Sequence, residues 1–338
     1  MDWKYQIKGD PVSWLLEQKD AAVRHLALRD LLDKKPDGPE MAAARKAAHK
    51  DPVISTILDN MDPHGWWAED RGGYNPKYKS AVWSLIFLSQ VGADVKSDGR
   101  IATACQYYLD HSITKRGQIS INQTPSYTVD CLQGNILTAL LDLGYEDERY
   151  DLAFEWMART TTGEGIAPLS DKKAELRYYA GKCGPDFACG ANYNKPCAWG
   201  GIKVMLAFSR LPKDKRTPLI QRAIDRGVDF FFKVDPSTAN YPSSTEGAPP
   251  SRNWWKFGFP VFYISDLLQL AKALVGLGYG KDPRLAKTLQ LIRDKQDDQG
   301  RWALEYHYTG KTWVDIPAPK APNKWVTLRA LRVLKQAV

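Results

Sequence analysis

Cysteine is the residue type with the clearest chemistry in this sequence, because two cysteines open the same short motif. The strings "CLQG" at Cys131 and "CAWG" at Cys197 each lead into an apolar run. Cys183 and Cys189 lie between them in "CGPDFACG", whereas Cys105 falls inside an apolar helix pattern and is expected in the core. Four thiols that converge would suit a tetrahedral Zn2+. Their spacing matches no standard zinc motif, so buried free thiols and a disulfide stay open as alternatives.

Carboxylates near helix starts and aromatic clusters are the candidates for acid–base catalysis. Asp130 precedes Cys131, and Asp266 opens the apolar run "DLLQLAKALVGL", where capping of the helix is its alternative role. Glu69 and Asp70 follow two tryptophans in "GWWAED", a setting suited to acid–base work on an alkene or a sugar. The side chains expected to line a substrate cavity are Trp66, Trp67, Tyr127, Trp254, Trp255, Tyr263 and His307.

Helices of two kinds must position these residues. The segments 81–88, 198–208 and 266–277 are apolar on nearly every side, which is typical of buried helices. The segment 282–295 instead has one apolar stripe, which is typical of a helix at the surface. No segment alternates long enough to form a sheet. The alternation of the two kinds predicts an all-α fold, in which an inner ring of helices is enclosed by an outer ring.

The same helical hairpin recurs along the chain. An apolar helix stops at Gly92, Gly144, Pro212 and Gly278, and a striped helix follows each stop. The striped helices end in a tail whose clearest form is "QDDQGRW", residues 296–302. In this tail the amide is expected to cap a helix end, the glycine to form a left-handed turn and the indole to pack between hairpins.

The sequence resembles the squalene cyclase and protein prenyltransferase repeat superfamily, and most of all its compact bacterial members. The resemblance lies in these repeats, in "LGYGKDPR" and "CAWGGIKVM", and in the final segment "GKTWVDIPAPKAPNKWVTLRALRVLK". It covers nearly the whole chain and implies an α/α toroid that forms a single domain over 1–338. Residues 1–50 are expected to be a helical segment that closes the ring, and 165–197 a cysteine-containing insertion loop.

The resemblance implies an enzyme that acts on an apolar, isoprenoid-like small molecule in an aromatic-lined central cavity, by a cyclase, isomerase, lyase or prenyl-transfer step. Inner helices of a toroid start at one mouth, so the predicted zinc ligands there are Cys131, Cys183, Cys189 and Cys197. A shell of four thiolates would make this zinc structural, whereas a catalytic zinc needs an open position. Prenyltransferase β subunits hold zinc at this mouth with Asp, Cys and His; here Asp130 adjoins a cysteine and no histidine matches. The Asp-x-Asp-Asp motif of class II triterpene cyclases does not occur.

Two other functions stay open. Toroids also serve hydrolases and lyases that act on carbohydrates, and a hydrolase needs two carboxylates facing each other across a cavity. The pattern in 20–33 is typical of HEAT-like helices, so a non-catalytic helical-repeat binding protein is the second alternative. The net charge of +8 is scattered rather than focused, which argues against nucleic-acid binding. No segment is apolar for long enough to span a bilayer and no signal peptide is evident, so we expect a cytoplasmic protein.

Overall fold

The chain is a succession of short helices. A computed structural model describes residues 2–70, 73–168, 170–174, 176, 183–245, 247–317 and 319–338. The α-helices of these residues are α1 (Pro11–Leu15), α2 (Ala21–Asp30), α3 (Pro39–Ala48), α4 (Pro52–Asp59), α5 (Ala81–Gln90), α6 (Gly99–Ser112), α7 (Asp130–Asp142), α8 (Arg149–Thr162), α9 (Ala198–Arg210), α10 (Pro218–Phe232), α11 (Leu267–Gly276), α12 (Ala286–Asp294) and α13 (Lys324–Gln336). Two strands, β1 (Ala188–Cys189) and β2 (Lys195–Pro196), pair antiparallel within the segment 165–197. The predicted all-α class is therefore confirmed for the described residues, which are mostly helical.

Six helices, α2, α5, α7, α9, α11 and α13, contact one another in sequence, and we call them the core helices. Their contacts run from α5 to α7, α9, α11, α13 and α2 in that order. Leu26 of α2 also lies against Gly92, which follows α5: a Cβ at Gly92 would be 2.7 Å from the Leu26 side chain. All side chains from 81 to 88 are buried, as their apolar pattern predicts. No helix of the described residues is long and apolar enough to cross a bilayer.

The other helices pack on the core helices through one face. α3 contacts α2, α6 contacts α5, α10 contacts α9, and α12 contacts α11. On α12 the side chains of Leu289 and Ile292 are buried, whereas Lys287 and Gln290 are exposed. This burial confirms the predicted stripe, because a helix that meets the core on one side needs apolar residues only there.

The repeated tail has the same geometry at two places where an indole ends it. Trp67 donates a hydrogen bond from Nε1 to the Ile57 carbonyl oxygen, and Trp302 donates one to the Ile292 carbonyl oxygen, both at 2.7 Å. The glycine two residues before each indole has a positive φ. Both indoles are buried, so each one ties the end of a helix to the loop that leaves it. The left-handed turn predicted for the glycine is confirmed, whereas packing of the indole between hairpins stays a prediction.

The first and last segments of the chain contact each other. The Gln296 side chain donates a hydrogen bond to the Arg293 carbonyl oxygen (3.0 Å) and accepts one from the backbone of Lys8 (2.8 Å). The first bond is the predicted amide cap of the helix end. Lys324, the first residue of α13, forms an ion pair with Glu17 (2.8 Å). Both α1 and α2 also pack on α13, so the N-terminal segment lies against the last helix.

Candidate functional site

A cavity of about 450 Å3 is lined by residues from all six core helices. Later residues of α5, α7 and α9 line it, and Arg29 and Asp33 of its lining are exposed to solvent. The charged side chains of its lining are Arg29, Asp30, Asp33, Asp142, Arg210, Lys272, Arg329 and Arg332. A larger depression of about 990 Å3 lies beside α10, but only α10, β2 and nearby loops line it. The smaller cavity is therefore the one at which the repeats converge.

Asp142 and Arg210 form a bidentate ion pair in the cavity, although they lie on different helices. Arg210 contacts the carboxylate from Nε at 2.7 Å and from Nη2 at 3.1 Å. Burial alone would raise the pKa of Asp142, but Arg210 and Lys272 outweigh it and hold that pKa below its ordinary value. Asp142 is therefore an ionised carboxylate at neutral pH and a poor proton donor.

Asp30 is held by two arginines at the end of α2. Arg29 contacts its Oδ1 from Nε at 2.6 Å, and Arg332 of α13 contacts Oδ2. Burial opposes ionisation of Asp30, yet the two guanidinium groups keep its pKa well below the ordinary value. The Nε of Arg332 is buried and has no hydrogen-bond partner within the described residues.

Lys272 of α11 is the cation of this cavity that lacks a counterion. It lines the cavity and is partly buried. No hydrogen bond or ion pair joins its side chain to another described residue. Burial and, after it, the charge of Arg210 lower the pKa of Lys272 to about 7, although Asp142 opposes this. An ammonium in this position has lost water without gaining a partner, which is costly unless a ligand supplies one.

The cavity as a whole carries an excess of positive charge. Its lining has five cationic and three anionic side chains. Two of these residues have partners outside the lining: Arg329 pairs with Asp266, and Asp33 pairs with Lys335. These outside partners are one acid and one base, so the excess is still two positive charges. A bound anion would offset that excess.

Asp266 caps a helix, which is the alternative role given for it in the sequence analysis. Its Oδ1 accepts a hydrogen bond from the backbone N–H of Gln269 at 2.7 Å, which caps α11. Arg329 of α13 also binds both oxygens of this carboxylate, at 2.8 and 2.9 Å. The side chain of Asp266 is thereby committed to joining two core helices, and its catalytic role stays a prediction.

The repeated Cys-x-x-Gly motif lies where α7 and α9 begin side by side. A Cβ on Gly200 would be 3.4 Å from the Asp130 Cβ and 3.9 Å from the Cys197 Cβ. A Cβ on Gly134 would be 2.2 Å from the carbonyl carbon of Lys203, so the two backbones touch. The glycine of each motif thus packs against the other helix. The predicted juxtaposition of the two helix starts is present.

Two thiols near these helix starts, those of Cys131 and Cys197, have raised pKa values. The side chains of Cys197 and Cys189 share a hydrogen bond, which with burial raises the pKa of Cys197. Burial, and then the neighbouring Asp130, raises the pKa of Cys131 to about 11. Cys183 is buried. Within the described part of the chain, no three or more His, Cys, Asp or Glu side chains are arranged to hold a metal ion. The zinc site stays a prediction.

Asp130 is a buried carboxylate that lies apart from the cavity. Asp130 is the first residue of α7, and its Oδ1 has no hydrogen-bond partner among the described residues. Burial, reinforced by Cys189, raises the pKa of Asp130 well above its ordinary value. An acid–base role for Asp130 would have to act at the cysteine end of the helices.

The aromatic side chains predicted to line the cavity pack elsewhere. Tyr263 accepts a hydrogen bond from the hydroxyl of Tyr78 (3.3 Å) and belongs to a cluster of mutually packed rings. Trp254 is buried against Tyr241, with the ring centres 5.6 Å apart, and the Trp255 indole donates to a loop carbonyl. The residues in question, none of which belongs to the cavity lining, are Trp66, Trp67, Tyr127, Trp254, Trp255, Tyr263 and His307.

Four of the predicted binding and catalytic residues lie on the protein surface. Tyr127 and His307 are exposed, and so are Glu69 and Asp70. Asp70 accepts a hydrogen bond from the Tyr107 hydroxyl, which anchors the loop on α6. These positions lie outside the cavity lining, and their proposed roles in binding and catalysis stay predictions.

Sequence reasoning did not select the charged residues of the cavity, although a signal for them exists. Lys272 is the single charge within "LLQLAKALVG", and Asp142 ends the apolar run "ILTALLD". A lone charge in a helix that is apolar all round has to face a partner or a cavity, because burying it alone is costly. Lys203 in "AWGGIKVMLAF" has the same signature, and its ammonium donates to the Gln269 side chain.

The chain matches none of the protein-family models and none of the curated proteins with which it was compared.

Proposed function

We propose that this protein is an α/α toroid whose central cavity is the active site of an enzyme for a small polar molecule. The contacts of the core helices support the toroid, because they run in one series and return through Leu26 and Gly92. The contact of the N-terminal segment with α13 supports it as well. In such a ring, residues distant in the sequence share one central space.

The observation that carries this proposal is the cavity of about 450 Å3 lined by charged residues from all six core helices. Its volume lies in the range of small-molecule sites. Asn135, Thr138 and Gln269 add hydrogen-bonding groups to the ionic ones. A space of this kind suits a polar ligand better than a hydrocarbon, since an apolar chain would desolvate charges without pairing them. An isoprenoid-like substrate would therefore place its polar end here.

A carbohydrate or a related polyhydroxylated molecule is the second candidate, because the same polar lining favours it. Glycoside hydrolysis requires one carboxyl group that is protonated at the working pH. Asp30 and Asp142 are both paired with arginine, which lowers their pKa values. They are therefore poor general acids. These two paired carboxylates therefore argue against glycoside hydrolysis in the cavity.

Thermal unfolding with a panel of ligands tests the cavity as the binding site. The panel contains sugar phosphates, uronates, dicarboxylates and prenyl diphosphates, together with uncharged sugars. Ser89 lines the cavity, so Ser89→Trp should fill it, and the matched control Ser244→Trp changes an exposed loop residue outside the lining. A ligand at a hundred times its Kd should stabilise the native protein and the control by about 2.7 kcal/mol, and leave Ser89→Trp unchanged. Equal stabilisation of both variants, or no response to any class, would overturn the proposal.

A further inference from the structure

The five cationic side chains of the cavity differ in the interactions that stabilise their charge. Arg29 and Arg210 lie in the last turns of α2 and α9, where a cation offsets the partial negative charge of the helix end. This effect fades beyond the last turn. Lys272 is the sixth residue of the ten-residue α11, and Arg332 is followed by four more residues of α13. The helix ends therefore do not account for Lys272 and Arg332.

Ion pairing within the protein does not account for them fully either. Arg210 is satisfied by Asp142, and Arg329 by Asp266. Lys272 has neither a hydrogen bond nor an ion pair among the described residues. Arg332 contacts Asp30 through Nη2, but its buried Nε is left without a partner. Two donors that border one cavity are thus short of an acceptor.

We propose that this part of the cavity is an anion subsite, in which Lys272 and Arg332, with Arg210 beside them, bind a phosphate or carboxylate group of the ligand. The inference rests on the proposed function, since it assigns a chemical class to the molecule in the central cavity. Guanidinium groups bind the oxygens of phosphate and carboxylate in a planar, directed manner, and an ammonium adds a point charge. A ligand anion would supply the missing acceptor and offset the positive excess.

Burial is the main cause of the lowered pKa of Lys272, and the neighbouring arginines add to it. Arg210, Arg329 and Arg332 face this ammonium from two neighbouring helices, and Asp142 is the carboxylate that opposes them. A bound anion favours the charged form of Lys272, so binding should take up a proton near pH 8. Calorimetric titrations in two buffers of different ionisation enthalpy measure that uptake.

Isothermal titration calorimetry of the full chain, at pH 6.5 and low salt, tests the subsite directly. Inorganic pyrophosphate is the phosphate probe and citrate is the carboxylate probe, so their relative affinities distinguish the two groups. Lys272→Met and Lys272→Gln should each weaken binding by about tenfold or more, because each removes a charge-assisted contact. Lys272→Arg should retain most of the affinity. Lys287→Met, at an exposed position of α12, should leave it unchanged.

The outcomes separate this inference from the proposed function. Equal affinity in the native protein and both neutral variants overturns the subsite. The subsite is also overturned if neither probe binds while a neutral ligand stabilises the native protein but not Ser89→Trp. In that case the proposed function would stand without the subsite. If Lys272→Met does not fold, Lys272→Gln and the proton uptake of the native protein decide the matter.

Discussion

Gly134 of α7 and Lys203 of α9 are in backbone contact, and a Cβ at position 134 would lie 2.2 Å from the Lys203 carbonyl carbon. Real Cβ contacts are essentially never shorter than 3.0 Å. The glycine therefore lets the two helices approach more closely than any other residue would allow. Gly200 packs against Asp130 in the reciprocal position. Close packing therefore requires the glycine at 134, whereas a Cβ at Gly200 would make only ordinary van der Waals contacts.

Gly134→Ala should destabilise the protein, because α7 and α9 must move apart to admit a methyl group. We expect the free energy of unfolding to fall by about 3 kcal/mol, at the upper end for overpacking. Urea denaturation followed by circular dichroism measures it. The control is Gly99→Ala at the start of α6, where a Cβ meets nothing within 4 Å. That change should be neutral or slightly stabilising; equal losses in both variants would contradict the contact.

Trp67→Phe should remove the buried hydrogen bond to Ile57 and leave its carbonyl oxygen unsatisfied. The expected loss in the free energy of unfolding is about 2 kcal/mol. Trp302→Phe should lose a similar amount, since its bond to Ile292 is the same. The neighbouring Trp66→Phe is a matched control, because the Trp66 indole is only partly buried and makes no hydrogen bond to a described residue. A loss of equal size at Trp66 would refute the stabilising role of the indole hydrogen bond.

The stability of the unliganded protein should depend on pH through Lys272. Burial lowers its pKa from the ordinary value of 10.5 to about 7 in the folded protein. Between these values the unfolded chain binds more protons, so this group makes the free energy of unfolding rise with pH. Below about pH 7 the desolvated ammonium opposes folding in full. Lys272→Met should therefore be more stable than the native protein at pH 6, by about 1–2 kcal/mol, and gain less on going to pH 9.

Urea denaturation at pH 6 and pH 9 measures this difference between the two proteins. Lys203, whose burial also lowers its pKa to about 7, is present in both and cancels. An identical rise in the two proteins would show that Lys272 titrates normally.

Metal analysis of the purified protein tests the zinc site predicted at the start of α7 and α9. We expect about one zinc per chain, because four thiols were predicted to converge there. Cys131→Ser and Cys197→Ser should lose it. Cys105→Ala is the control, since this thiol is buried in α6 away from the other cysteines in the chain. A protein that purifies without zinc, or retains it in both serine variants, would exclude the site.

The helices and their connections could be predicted from the sequence, because they depend on residues close together in the chain. The apolar runs from 81 to 88 and from 198 to 208 are buried helices. Gly92, Gly144 and Gly278 have the positive φ of a helix stop. The Gly-x-Trp tail closes over ten residues. Each of these features needs only local periodicity, a local turn and one apolar ring.

The cavity and its charges were decided by the tertiary structure alone. Lys272, Arg210 and Asp142 lie on three helices far apart in the sequence. The lone charge of Lys272 inside an apolar run signals a partner or a cavity, but the sequence does not tell which other charges share that space. Conversely, Tyr263 and Trp254 pack against other rings outside the lining of this cavity, and their predicted role in a substrate cavity is untested. Periodicity tells which side of a helix is apolar. It does not tell which charges will face one another when six helices meet, because that depends on how each helix is rotated against its neighbours.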